Sequence, residues 1–359
     1  MEAAWKFKED KLTSNERHEA LLSGKTVDRV GLYLFARGFC ARNVGMSLSE
    51  FYSNPKKSFE AQLWTAQMYG QDESLKYGIA VFGAWEFGGE MRMPSGEYDQ
   101  VPIVVKAPVE SDEDAKNLKL PNIENSGMTP LIVDFCKLQE KAGLIRTSLV
   151  GDPFTLACNV CGMERVSKWM FKDPDLLHDI LRLMTVYCLK LAEYFIETFG
   201  AENIEFRTST PTSSNQVISP KQFQEFSFPY LLEVHEKVLG MGVRYIYIHI
   251  CGDQRSNLPY YKMIPFGNPG IASFGHEVDI QTAINCLGDK CVIVGNVNPS
   301  AIQSGTPAEV YGLSKQCIEK GKAAPRGFIL GSGCELPPLA PGANVWAMRK
   351  AVNDVGWYD

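Results

Sequence analysis

His249-Ile250-Cys251 ends an apolar run over residues 243–250, and Cys334 follows much later in Gly331-Ser332-Gly333-Cys334. Residues two apart on a β-strand share a face, so the imidazole of His249 and the thiol of Cys251 aim at one point while Ile250 turns away. Nitrogen with thiolate sulfur is a donor set that suits Zn(II), and three protein ligands with a fourth position open is the pattern of a catalytic zinc. An isolated cysteine is more often a small buried hydrophobe than a ligand. Here the same-face spacing, a glycine beside each cysteine (Gly252, Gly333) and the placement of both segments at expected strand ends favour a metal site made of His249, Cys251 and Cys334.

The remaining cysteines carry less. The chain has ten in all, and in a protein this long, without secretory signals, most of the other eight are expected as reduced core residues. Cys158-Asn159-Val160-Cys161 has the spacing of a redox pair or half a zinc site, but no second CxxC accompanies it. A structural role is expected for this pair.

A chain of 359 residues, 45% hydrophobic and 22% charged, is long enough to close one α/β barrel with insertions. The formal net charge of −6 includes no polybasic footprint, which argues against nucleic acid or an anionic membrane surface as partner. The first ten residues hold no apolar signal core and no apolar run reaches spanning length, so the expectation is a soluble, cytoplasmic protein.

The elements that must position the ligands follow from the pattern. Thr13-Ser14-Asn15-Glu16 has the form of a capping box opening a helix over 16–22. Residues 1–27 are expected as an N-terminal helical extension and 28–359 as one catalytic domain, with a Pro-, Asp- and Glu-rich surface insert at about 91–124. Strand-like runs at 30–35, 78–82, 147–156, 203–208, 243–251, 270–274, 291–297 and 327–330 are interleaved with helical patterns such as 58–69, 173–199 and 220–241. Parallel pairing requires a crossover between strands, so eight such units predict an α/β fold of the (β/α)8 TIM-barrel type.

In that fold the chemistry sits on the loops after the strands. Glu205, Arg207, His276 and Asn296 fall in or beside those loops and are candidate catalytic residues, together with the three ligands. Arg207 shares a strand face with Glu205 and has the fork that binds a carboxylate or sulfonate. His276 and Asn296 are expected to hydrogen-bond substrate, and Asp253 to orient His249 from behind.

The order of landmarks is Gly151-Asp152-Pro153-Phe154-Thr155-Leu156-Ala157, Ile218-Ser219-Pro220 with Phe223 and Phe228-Pro229-Tyr230, His249-Ile250-Cys251-Gly252, Gly295-Asn296-Val297 and Gly331-Ser332-Gly333-Cys334-Glu335. It resembles the uroporphyrinogen decarboxylase superfamily from about Asp28 onward. The His-x-Cys and distant Cys resemble its zinc-dependent corrinoid methyltransferase branch, the methylcobalamin:coenzyme M methyltransferases and their relatives. The decarboxylases' Arg-Gln-Ala-Gly-Arg signature is replaced by Phe35-Ala36-Arg37-Gly38-Phe39-Cys40-Ala41-Arg42, and an aspartate expected after the strand at 203–206 by Arg207-Thr208-Ser209-Thr210.

The resemblance implies zinc as cofactor and a methylated corrinoid (methylcobalamin) as co-substrate, with a thiol such as coenzyme M as the small-molecule methyl acceptor. Tetrahydrofolate is an alternative acceptor. Glu205, Glu277, Glu335 or water would fill the fourth metal position. No Asp-x-His-x-x-Gly corrinoid motif occurs in the sequence, so the corrinoid is expected free or on a separate corrinoid protein docking over the barrel mouth. Two other readings stand beside it: a metal-free, uroporphyrinogen decarboxylase-like lyase that uses Arg37 or Arg42, and a corrinoid- or metal-binding protein without turnover.

Overall fold

The computed structural model describes residues 7–96 and 99–358. Nine strands occur among them: β1 (Gly31–Tyr33), β2 (Glu90–Arg92), β3 (Ile103–Lys106), β4 (Arg146–Leu149), β5 (Ile204–Ser209), β6 (Ile246–Ile250), β7 (Gly270–Phe274), β8 (Cys291–Val297) and β9 (Phe328–Ser332). Seven form one parallel sheet in the order β1-β9-β8-β7-β6-β5-β4, and β2 pairs antiparallel with β3. The sheet curls into the expected α/β barrel.

The eighth staves differ from the expectation. Residues 78–82 are not a strand but lie where turns begin, with Gly78, Gly83 and Gly88 all at positive φ. The gap between β1 and β4 is closed instead by the irregular segment 72–79. Asp72 donates its N–H to Leu32 C=O at 2.7 Å, and Gln139 Nε2 and Thr147 Oγ1 both donate to Leu75 C=O, at 2.8 and 2.7 Å. Gln62 further bonds both the N–H and the C=O of Lys76. Side-chain amides thus satisfy backbone groups that a regular ladder would otherwise pair.

The run expected as a strand over 147–156 also divides. The chain leaves β4 at Leu149, turns at Gly151 (φ 85°) and enters a helix, Pro153–Cys161, capped by Asp152, whose side chain accepts from Thr155 N–H. A short apolar run reads alike as a buried strand or a buried helix. Helices at Pro55–Tyr69 and Pro174–Phe199 match the patterned segments, whereas the one expected over 220–241 is broken by a wider turn at Phe223–Ser227.

Alternation along the strands makes two apolar shells. Tyr33, Tyr245, Tyr247, Ile271, Val292, Val294 and Ile329 fill the barrel interior, while Ile246, Ile248 and Ile250 face the surrounding helices. The first helix, Ser14–Leu22, carries the expected Thr13/Glu16 capping box and pushes Leu21 and Leu22 into the interior cluster. It therefore closes the end where β1 begins. Between Met91 and Glu124, β2, β3 and the helix Asp112–Lys116 are largely exposed and held down by Val109 and Ala115. Among the described residues no helix is long and apolar enough to cross a membrane.

Candidate metal centre

The expected ligands come together. β6 delivers His249 and ends at Ile250, so Cys251 begins the loop, and Gly252 at φ 73° turns the chain away. Cys334 arrives from the loop after β9, where Gly333 donates its N–H to Val297 C=O at 2.7 Å. A Cβ on Gly333 would stand 2.8 Å from the backbone nitrogen of His276, so only glycine lets these two loops pass. Closure of the barrel thus brings the two cysteines together across 83 positions of chain.

Donor atoms of His249, Cys251 and Cys334 all lie within 4.8 Å of one another, and the two sulfurs are 3.8 Å apart. A disulfide requires about 2.05 Å, so these are free thiols. Two thiolates at about 2.3 Å from a tetrahedral zinc stand about 3.8 Å apart, which is the spacing present. His249 Nδ1 lies 3.1 Å from Ser273 Oγ, its register partner on β7, while the buried Nε2 has no hydrogen-bond partner. An orphaned imidazole nitrogen beside two thiols fits a metal ligand set.

The two thiols are hydrogen-bonded to each other. The hydrogen bond between them holds Cys334 well below the usual thiol range, with His249 adding to the effect, and the same bond followed by burial pushes Cys251 up.

A cavity of about 220 Å³ opens over the triad, walled by Phe35, Lys76, Arg207, Tyr247 and Glu335 among others. Its charged floor is tightly organised. Arg207 donates from Nε to Glu205 Oε1 at 2.6 Å and from Nη1 to Glu73 Oε1 at 2.8 Å, its guanidinium sits 4.3 Å from the Tyr247 ring centre, and Nη2 is buried without a partner. Glu73 also pairs with Lys76 and accepts the Phe35 N–H at 2.7 Å. Burial draws the Lys76 ammonium down to about 8 against the opposing pull of Glu73.

The other expected site residues take different places. Glu205 lies beneath the cavity floor, with Oε1 on Arg207 and Oε2 accepting from Tyr245 OH at 2.7 Å, so neither oxygen is free to be the fourth ligand. Tyr245 in turn meets His18, which also meets Tyr33. Glu335 is engaged by Arg37.

His276 and Asn296 line a separate cleft rather than this cavity. Asn296 spends its amide on Gly275 and Val278 carbonyls, at 2.8 and 2.6 Å, and His276 Nδ1 stands 3.4 Å from Glu277. Asp253 pairs with Arg255, and Ser273 takes the place beside His249 expected of it. Cys158 and Cys161 are buried in the helix Pro153–Cys161, and burial pushes the Cys161 thiol up to about 12.

Sequence reasoning missed Glu73, Lys76, Phe35 and Ser273. Glu73 and Lys76 sit in a stretch with no periodicity, where a pair of opposite charges three residues apart was the available signal. Ser273 becomes visible only once the β6–β7 register is known.

The uroporphyrinogen decarboxylase (URO-D) family model matches residues 13–355. The chain is 29% identical over 265 residues to a methylcobamide:CoM methyltransferase of Methanosarcina acetivorans, covering 72% of this chain and 74% of that one. It is 24% identical over 267 residues to a uroporphyrinogen decarboxylase of Coxiella burnetii, covering 70% and 69%. A solved methyltransferase structure from Methanosarcina mazei superposes with a TM-score of 0.80 at 22% identity, over 96% of this chain and 99% of that one, which agrees with the barrel fold. The expectation of an enzyme, with methyltransferases ranking ahead of carboxy-lyases, agrees with these relatives. On the match across nearly its whole length, the chain belongs to the uroporphyrinogen decarboxylase family.

Proposed function

We propose that this protein transfers a methyl group from a methylated corrinoid to the sulfur of a small thiol, with zinc held by His249, Cys251 and Cys334. The observation that carries the reading is the triad itself, three donors within 4.8 Å and two sulfurs 3.8 Å apart at the floor of a cavity in the barrel mouth. The methyltransferase relatives, both named for coenzyme M, support the same reaction class.

Zinc held by this ligand set would supply a Lewis acid able to keep a bound thiol ionised at neutral pH. The chain's own residues do the rest. Two thiolate ligands leave the site electron-rich, which favours sulfur as nucleophile. In the tautomer with a proton on Nδ1, His249 donates to Ser273 and presents Nε2 to the metal. Arg207, whose Nη2 is left without a partner, and Lys76, paired with Glu73, give the cavity N–H donors for an anionic end of the acceptor, and Phe35 and Tyr247 keep that wall apolar. Overall the sulfur–methyl bond forms as the cobalt–methyl bond breaks, with the bonding electrons left on cobalt. The corrinoid arrives free or on a separate protein at the barrel mouth.

Elemental analysis of purified wild type beside Cys334→Ala tests the site, with about one zinc per chain expected in the first and a small fraction of that in the second. Methylcobalamin with 2-mercaptoethanesulfonate then tests the reaction, through the change in cobalamin absorbance, and Cys334→Ala should be at least about a thousandfold slower, about 4 kcal/mol of barrier. Wild type that takes up no zinc on reconstitution overturns the reading.

A further inference from the structure

Phe35 is the one residue other than glycine that stands at positive φ (49°) among the described residues. A bulky side chain in the left-handed region is strained and persists only where its surroundings hold it. Two hydrogen bonds do so: its N–H donates to Glu73 Oε2 at 2.7 Å, and its C=O accepts from Leu336 N–H at 3.1 Å. The strain places the ring, half-buried, in the wall of the mouth cavity.

The ring is in contact with both halves of the site. It meets the His249 imidazole edge to face, with centroids 5.2 Å apart, and carries the Lys76 ammonium 4.1 Å from its centre. Arg37, which engages Glu335 beside Cys334, lies 5.6 Å from the same ring. Aromatic faces attract cations, most strongly where water is excluded. Glu73 completes the link, since one carboxylate holds the Phe35 backbone, Lys76 and Arg207.

We propose that Phe35 is a specificity-determining residue: its ring, wedged against His249 and under Lys76, fixes the spacing between the metal ligands and the cationic end of the cavity and so sets the chain length of the anionic thiol accepted. This rests on the methyl-transfer reading and names what that reading leaves open. The ammonium and the imidazole touch the same ring, so thiol and anion are separated by one aromatic width. That reading already takes a short thiol with an anionic end as acceptor, and what Phe35 adds is the selection of its length. An aliphatic side chain would remove the flat ring between His249 and Lys76, although Glu73 would still hold the ammonium, whereas tyrosine would retain the π face.

The test is calorimetric binding of 2-mercaptoethane-, 3-mercaptopropane- and 4-mercaptobutanesulfonate to zinc-loaded wild type, Phe35→Leu and Phe35→Tyr. The Co(II)-substituted proteins report thiol arrival by absorbance. Wild type should favour one length over its neighbours by about tenfold, the scale of one methylene in a shaped pocket. Phe35→Leu should narrow that ratio to about threefold or less at unchanged metal content, and Phe35→Tyr should restore it. Phe35→Met provides a second aliphatic variant if the leucine protein fails to accumulate. An undiminished ratio in the aliphatic variant, or wild type with no length preference, overturns the assignment of Phe35 alone. Zinc-loaded wild type that binds none of the three thiols overturns the methyl-transfer reading as well.

Discussion

The two ends of the barrel handle buried charge in opposite ways. At the end where β1 begins, Arg17 places Nε and Nη2 on Asp28, both at 2.8 Å, and Nη1 on Asp72 at 2.6 Å, while Arg29 bonds Asp72 at 2.9 Å and Asp10 at 2.8 Å. Neither of these two arginines, each 1% exposed, has an unsatisfied nitrogen, and only Arg349, which reaches Asp10 at 3.6 Å, leaves a buried Nη1 unpaired beside them. At the mouth, Arg207 Nη2, His249 Nε2 and Asp152 Oδ1 are all buried without a hydrogen-bond partner. A satisfied ionic network fastens elements to one another, whereas leftover donors and acceptors mark where structure has been subordinated to chemistry. The contrast follows the division of the barrel fold into a stabilising face and an active face.

The largest effect expected on this contrast comes from breaking the basal network. Arg17→Met would leave Asp28 and Asp72 buried without one of their counter-charges, and it would detach the helix Ser14–Leu22 from the start of β1 and from segment 72–79. Breaking a buried ion pair from one side costs about 3–5 kcal/mol. Denaturant unfolding should show that loss, while the folded fraction keeps its zinc. A loss below about 1 kcal/mol, the range of surface pairs, would mean that the basal charges fasten nothing.

Two carboxyl groups sharpen the comparison through pH. Burial pushes Asp28 up, but its hydrogen bonds from Arg17 and from the backbone of Leu12 and Lys11 outweigh that and bring it down to about 2. Burial at the mouth, opposed only by Thr155 and the Phe154 backbone, takes Asp152 up to about 6. A depressed carboxyl adds stability at neutral pH that is lost as pH falls from about 4 towards 2. A raised one does the reverse, and its ionised form burdens the fold above pH 6 and ceases to do so below about 4. Asp152→Asn, which retains an oxygen able to cap Thr155, should therefore raise stability at pH 8 relative to its effect at pH 4 by roughly 2 kcal/mol. Asp28→Asn should be most destabilising near neutrality and lose its effect in acid. Unfolding curves for both variants across this range check the signs, and equal signs would erase the distinction between the ends.

What the sequence made legible divides along the same line. Strands β5 to β9 were readable because their apolar runs are short, buried and punctuated by glycine, and the triad because i, i+2 spacing fixes a common face. The stave at 72–79 was not, since its backbone is satisfied by Gln62, Gln139 and Thr147 side chains rather than by a patterned ladder. With it went Glu73 and Lys76. His276 and Asn296 show the opposite error. Loop position placed them near the mouth, but the direction of each side chain depends on contacts with Glu277, Gly275 and Val278 that no spacing rule specifies.

The smallest effect concerns Ser273, and it tests whether the mouth is specialised beyond its ligands. Ser273 stands opposite His249 in the β6–β7 register and is 1% exposed, so its hydroxyl is held by the sheet rather than by a mobile loop. When Nδ1–H donates to Oγ, 3.1 Å away, the imidazole takes the tautomer that leaves Nε2 for a metal. Groups in this position tune metal affinity by about ten- to a hundredfold, and a hydroxyl, weaker than a carboxylate as acceptor, belongs near about tenfold. Ser273→Ala should weaken zinc binding by that factor in competition with a chelator while shifting folding stability by about 1 kcal/mol or less. The basal variant predicts the reverse pattern, large in stability and silent in metal. If Ser273→Ala instead destabilised the fold and left zinc affinity untouched, the hydroxyl would be a strut of the sheet, and the mouth would resemble the base more closely than their hydrogen bonds indicate.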